Sequence, residues 1–281
     1  MSPRSAPCPP IPAPGPGEVR LAFDPGLAGL LTRPAPDGVV VWPVTRRASI
    51  KDVAESLGVP HTEIYRVVPA GATPIPALIP TLDLDLLLAP GMALALLGPD
   101  GPVDVTRATP LRPALAAAGR FLADVNVARL AGLLRLAGFD AKAAAARDRD
   151  GDLARRAAET GRILLSRDRA LLKRSVVVHA RLVRAQRPWD QLSEVAALYG
   201  LAPRVAPFTR CIHCNGLLTD VPKAEVLDRL EPLTRRHYER FSRCPDCGRV
   251  YWAGSHFGHM RRELARRGLW PAAGDGSVNP A

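Results

Sequence analysis

No apolar run in this chain is long enough to cross a bilayer. The longest, residues 82–97, is interrupted by Asp83, Asp85, Pro90 and Gly91, whereas a spanning helix needs about 20 consecutive apolar residues. A membrane partner is therefore not expected. A signal-peptide pattern is also missing. Residues 1–17 are rich in proline with no apolar segment, which predicts a disordered leader. Cysteine is scarce, with five in 281 residues. Four of the five fall in two CxxC pairs and Cys8 sits alone in the leader. That usage argues against a disulfide scaffold and for metal-bound thiols in a reducing, cytoplasmic setting.

An excess of acid is absent as well. The formal charge is +11, which points to a polyanion, nucleic acid first. The excess is uneven: residues 1–110 carry a net −2, residues 111–200 a net +8 and residues 201–281 a net +5. The polyanion-facing part is thus expected in the C-terminal two thirds. A genome rich in G and C produces an Arg-rich composition with no ligand involved, so charge alone does not decide the function. Apolar residues make up 47 %, enough to bury a sizeable core, and 281 residues suit two or three domains.

Residues 18–108 read as a small α+β module. Strands are predicted at 18–23, 39–44, 63–68 and 92–97. Ser49 and Asp52 form a capping-box variant ahead of a helix at 50–57, and Gly58 and Pro60 stop it. Strands around one helix in this order suggest a β-grasp, or ubiquitin-like, module. It contains no catalytic set, and the lone His61 is expected in a turn or packing role. The module would then recruit a protein partner or regulate, and a chain starting near Leu111 should keep any activity.

After a linker near 109–120, strands predicted at 120–123, 139–145, 162–166 and 176–178 alternate with helices at 126–137, 153–160 and 191–199. Such alternation means a parallel sheet with helices on its faces. This α/β core is placed at 119–203. On the helix 126–137, Leu130, Leu133, Leu134 and Ala137 share a stripe, and Arg129 and Arg135 lie off it. Asp124 and Asp168 directly follow strands, and Asp150 begins a helix. Ligands of open parallel sheets bind outside the carboxyl ends of the strands. Clustered carboxylates favour a hard cation, magnesium or manganese, which activates water in phosphodiester cleavage. Each aspartate taken singly is equally well explained as a helix or turn cap.

The pairs Cys211-x-x-Cys214 and Cys244-x-x-Cys247 have the spacing of a four-thiolate structural zinc site. They define a zinc ribbon at 204–262, followed by a tail at 263–281. His213, His256 and His259 are expected on the surface or in packing. Asn215 and Gly216 are expected to shape the zinc loop. Tyr251 and Trp252 stand close to basic groups, and two readings stay open for them: stacking on RNA bases, or the small core of the ribbon.

The segments FLADVNVARLAGLLRLAGFDA, DGDLARRAAETGRILLSRDRALL, RCIHCNGLL and YERFSRCPDCGRVYWAGSHFGHM together resemble the Mut-seven C-terminal RNase family of PIN-like nucleases. The resemblance spans residues 120–260. Upstream, ASIKDVAESLGVPHTEI looks like the ubiquitin-like domain fused in front of that family. The resemblance implies a metal-dependent ribonuclease. Asp124 matches the first acidic residue after the opening strand, Asp150 the acidic D-x-x-L position, and Asp168 the aspartate of the T-R-D motif, written here Ser166-Arg167-Asp168. Ser166 retains the hydroxyl of the family's threonine. Asp148 and Asp152 flank the middle position. A fourth carboxylate is used by many such nucleases, yet only Asp140 and Asp148 lie between Asp124 and Asp150.

The expected whole is a β-grasp module, an α/β PIN-like parallel-sheet domain and a zinc ribbon. Zinc is structural, magnesium or manganese catalytic, and RNA the partner. Arg129, Arg135, Ser166, Arg167 and Trp252 are candidates for substrate contacts, although arginines on a solvated helix face need no such role. The rivals are a non-catalytic RNA-binding module with a degenerate site and a nuclease acting on DNA.

Overall fold

The computed structural model describes residues 13–70 and 81–270. Cys8, most of the expected leader and positions 271–281 of the expected tail lie outside the described residues. Among the described residues, no helix is long and apolar enough to cross a membrane.

The N-terminal sheet follows from alternation. In β1 (Glu18–Phe23) the side chains of Val19, Leu21 and Phe23 are buried. The single turn α1 (Pro25–Ala28) is capped by Asp24, which accepts from the Leu27 N–H at 2.7 Å. β2 (Val39–Pro43) runs antiparallel to β1. α2 (Ile50–Ser56) carries the expected capping box, Ser49 Oγ accepting from Asp52 N and Asp52 Oδ2 from Ser49 N. The Ser49 N–H, followed by its hydroxyl, holds the Asp52 carboxyl below the usual carboxylate range. β3 (Arg66–Pro69) and β4 (Ala93–Leu97) complete a sheet of order β2-β1-β4-β3, with β4 parallel to β1 and antiparallel to β3. This is the β-grasp arrangement. The strand predicted from residue 63 starts only at Arg66, because His61–Glu63 form a 3₁₀ turn.

The central sheet is all-parallel. β5 (Arg120–Ala123) pairs with β6 (Asp140–Ala143), Arg120 opposite Asp140 and Ala123 opposite Ala143. β7 (Ile163–Ser166) pairs with β8 (Ala180–Leu182), Leu164 opposite Ala180. The strand order is β6-β5-β7-β8. The last strand is a correction: the valine run 176–178 has strand propensity, but the pairing register with β7 places β8 at Ala180–Leu182, and Val176 is left 39 % exposed. The helices are α3 (Ala128–Leu136), α4 (Asp150–Glu159), α5 (Arg169–Leu172) and α6 (Pro188–Leu198). α6 opens with Pro188, which suits a first helical position because its missing N–H is not needed there. Gly138 after α3 has φ +96°, and a Cβ there would stand 2.3 Å from the Ala206 carbonyl oxygen. Only glycine fits.

Beyond α6, β9 (Thr219–Val221), α7 (Pro232–His237), β10 (Phe241–Arg243) and β11 (Val250–Tyr251) precede α8 (Ser255–Arg266). The strands form an antiparallel sheet of order β11-β10-β9. Its core is Val226, Leu230 and Phe241, with Val221, Tyr238 and Val250 packed against it. Residues 263–266, placed in the tail by sequence, finish α8. Leu269 is buried, and the Trp270 ring meets Phe208 edge-on.

By their internal contacts the residues divide into two compact units. One is Met1–Ala118 with Arg149–Leu182, the other Gly119–Asp148 with Val183–Ala281. The N-terminal module therefore shares its unit with α4, β7, α5 and β8.

Candidate active site and cysteine cluster

Each expected catalytic aspartate ends or begins a regular element. Asp124 follows β5 and is 7 % exposed. Its Oδ1 accepts from Val125 N and its Oδ2 from Asn126 Nδ2, each at 2.6 Å. Asp168 stands two residues past β7. Its Oδ1 accepts from the Ala170 and Leu171 amides at 2.7 and 3.4 Å, capping α5, and the Ser166 hydroxyl accepts from the Asp168 N–H at 2.9 Å. Asp168 Oδ2 makes no hydrogen bond among the described residues. Asp150 is the first residue of α4 and exposed, and its carboxylate likewise makes no hydrogen bond among the described residues. These carboxylates are hard oxygen donors of the kind magnesium and manganese select.

The flanking acids have other partners. Asp148 caps a turn through Ala145 N, and Asp152 pairs with Arg155. Asp140 opens β6, at the amino end of the strand. It lies 3.5 Å from Arg120 Nε and accepts from Asn215 Nδ2 at 2.7 Å. It is therefore at the wrong end of its strand to be a fourth carboxylate beside Asp124.

Among the expected phosphate contacts, Arg129 is exposed and Arg167 half-buried. Ser166 is fully buried and serves the backbone of Asp168. Arg135 departs most from expectation, being only 8 % exposed. Its Nε donates to the Ala141 carbonyl at 2.6 Å and its Nη1 to the carbonyls of Ile212 and His213 at 3.0 and 2.7 Å. Burial pulls its pKa below the ordinary value, with the Cys211 and Cys214 sulfurs opposing. A guanidinium so engaged has little left for a phosphate.

The sulfurs of Cys211, Cys214, Cys244 and Cys247 all lie within 4.8 Å of one another. The Cys211–Cys247 and Cys214–Cys244 sulfurs are 3.6 and 3.4 Å apart. Tetrahedral ligation at about 2.3 Å per sulfur requires S···S separations near 3.8 Å, so the cluster fits a zinc-sized ion. The knuckle turns fix it. Asn215 takes φ +79° and donates to the Cys211 carbonyl, while the Cys211 N–H donates to Gly216 O. A Cβ on Gly216 would sit 3.0 Å from the Cys244 sulfur.

A phenol borders this cluster. The Tyr251 hydroxyl lies 3.0 Å from Cys211 Sγ. Burial by itself would raise the Cys211 thiol, but Tyr251 and the N–H groups of Cys214 and His213 hold it down at about 6. Cys214 is lowered by the Gly216 N–H, yet its burial and the three neighbouring sulfurs push it up to about 12. Burial and the Cys211 sulfur push the Tyr251 hydroxyl up, which keeps it a donor to the thiolate. Trp252 is 40 % exposed, its ring tilted 6.4 Å from that of Phe241. The two aromatics thus part company: Tyr251 supports the cysteines and Trp252 faces outward.

A parallel PIN-like sheet with carboxylates past its strand ends, followed by a ribbon with four clustered cysteines, defines a nuclease-like class of protein. The model of the Mut7-C RNAse domain matches residues 119–264, more than half of the chain, and the model of the Mut7-C ubiquitin domain matches residues 17–76. The chain belongs to the Mut7-C RNAse domain family. No curated protein and no solved structure matches it.

Proposed function

We propose that this protein is a metal-dependent ribonuclease with Asp124, Asp150 and Asp168 as its metal-binding carboxylates. The observation that carries the reading is the state of Asp168 within the matched RNAse domain. One carboxylate oxygen is fixed by two helix amides, and the other points away from any hydrogen bond among the described residues. An acid that only capped a helix needs no more than the first oxygen. Asp124, Asp150 and Asp168 would hold magnesium or manganese, whose charge would help generate hydroxide from water and stabilise the leaving oxygen. Asp124 is held by Val125 and Asn126, Asp168 by its own helix, and Asp150 is presented at the start of α4.

Arg129 and Arg167 are the candidate phosphate contacts, in the segment of the chain with the largest positive charge. Trp252, exposed on the ribbon, is the candidate for stacking on a base. Zinc at the four cysteines is structural, because the closed thiolate set leaves no position for water.

The engagement of Asp140 by Arg120 and Asn215 favours one other reading, an RNA-binding module with an incomplete metal site. Incubation of a mixed RNA panel and single-stranded DNA with manganese, wild type beside Asp124→Asn, separates these. RNA shortened by wild type alone is the expected result. RNA shifted but never shortened supports the binding module, and cleavage of DNA in preference to RNA supports the other nuclease.

A further inference from the structure

We propose that the ubiquitin-like module is a positioning part of the nuclease, clamping the segment that carries Asp168. The proposal rests on the nuclease reading of Asp168. α5 has only four residues, and a single helical turn does not hold itself, because fixing its dihedrals gains too few hydrogen bonds. Both of its ends are tied to the module. At the start, Arg169 Nη1 donates to the Leu30 carbonyl at 2.7 Å. At the end, Lys173 Nζ donates to the carbonyl of Glu55 in α2.

The chain that follows is held in the same way. His61 places Nε2 2.7 Å from the Val177 carbonyl and Nδ1 2.6 Å from Glu55 Oε1. Arg112 reaches the Val178 carbonyl with Nε and, with Nη2, the carbonyls of His61, Thr62 and Ile64, its guanidinium lying over the Tyr65 ring. Glu63, 1 % exposed, pairs with Arg181 at 2.7 Å and accepts from the Leu182 N–H at 2.8 Å. Cations of a basic segment thus meet carbonyls and a carboxylate of the one segment of the chain with net negative charge. This also gives a physical reason for the grouping of Arg149–Leu182 with Met1–Ala118. Arg169 and Lys173 act through Asp168 as positioning residues. The Asp168 carboxylate, anchored to the Ala170 and Leu171 amides, goes where the clamp puts that turn.

The test uses the full chain. Hydrogen exchange at the Ala170 and Leu171 amides is compared between wild type, Arg169→Met, Lys173→Met and Lys173→Arg, each checked for folding by its melting temperature. Arg169→Gln or Lys173→Gln replaces the corresponding Met variant if that one does not fold. At least tenfold faster exchange is expected in the Met variants, with recovery in Lys173→Arg. In cleavage assays the manganese concentration for half-maximal rate should rise several-fold while KM for RNA stays the same. Unchanged exchange in folded Met variants overturns the clamp. Faster exchange with an unchanged manganese requirement overturns its service to Asp168. A wild-type chain that cleaves no RNA refutes the nuclease reading and the catalytic half of the proposal, and exchange still decides whether the module holds the turn.

Discussion

Asn215 Nδ2 donates to Asp140 Oδ1 at 2.7 Å, while Asn215 Oδ1 accepts from the Ala141 N–H at 3.0 Å. A residue of the first cysteine knuckle thereby completes the exposed edge of β6, as a neighbouring strand would. Arg135 adds three bonds to the same junction, and Arg210 ties Gly138 O to Asn215 O. The knuckle is fastened to the sheet rather than tethered to it.

Arg135→Met tests that junction. It preserves the aliphatic stem but strands the carbonyls of Ala141, Ile212 and His213. Each buried polar group left without a partner costs about 1–3 kcal/mol, so the melting temperature should fall by several degrees. RNA affinity of the folded variant should match wild type. Tenfold weaker RNA binding at unchanged stability would restore Arg135 as a phosphate contact.

The cysteine cluster predicts about one zinc per chain by elemental analysis. Cys244→Ser should lose the metal and unfold the ribbon, since ligation energy is folding energy. Because Arg135 and Asn215 tie the knuckle to β6, the unfolding should extend to the edge of β6, visible as faster exchange at the Ala141 amide. Zinc loss should also be favoured by acid, since the ligands must be thiolates. Freshly purified, unchelated protein without zinc would end this account.

The three aspartates separate a capping role from a metal role. Asparagine caps a helix about as well as aspartate, so Asp168→Asn should leave the melting temperature within about one degree of wild type. Removing a metal ligand costs several kcal/mol of transition-state stabilisation, roughly a hundredfold in rate or more. Asp124→Asn and Asp150→Asn should behave alike, with RNA binding retained or tightened. Full activity in all three folded variants would remove the metal role.

Glu63→Gln tests how firmly the N-terminal module belongs to its unit. It removes the carboxylate charge that faces Arg181, whose side chain is 11 % exposed. Removing one partner of a buried pair costs about 3–5 kcal/mol, a large part of the stability of an ordinary domain. Denaturant unfolding should show the loss in one transition covering both the β-grasp and β7–β8. Two separate transitions, with β7–β8 unmoved, would show a removable module. By the same argument a chain beginning near Leu111 should lose stability and activity, contrary to the sequence-based expectation.

What the sequence determined by itself is local. The Ser49–Asp52 capping box, the alternation in β1 and the two CxxC pairs all act within a few residues, where 3.6- and 2-residue periods and ligand spacing are visible. The fold class and the aspartates at element ends follow from such patterns. What tertiary structure decided lies in partners far apart in the chain. Arg135 sits off the apolar stripe of its own helix and looked solvated, yet the knuckle 77 and 78 residues later covers it. The valines at 176–178 resembled a strand, but β8 starts at Ala180 because pairing with Leu164 and the bond from Leu182 N to Glu63 set its register. His61 reads as a turn residue and Glu63 as the start of a strand in a separate module, and only the folded chain brings them against Val177, Arg181 and Leu182. The reason is physical: a buried cation or carbonyl needs one partner of the right polarity, and no periodicity in the sequence says which distant segment will supply it.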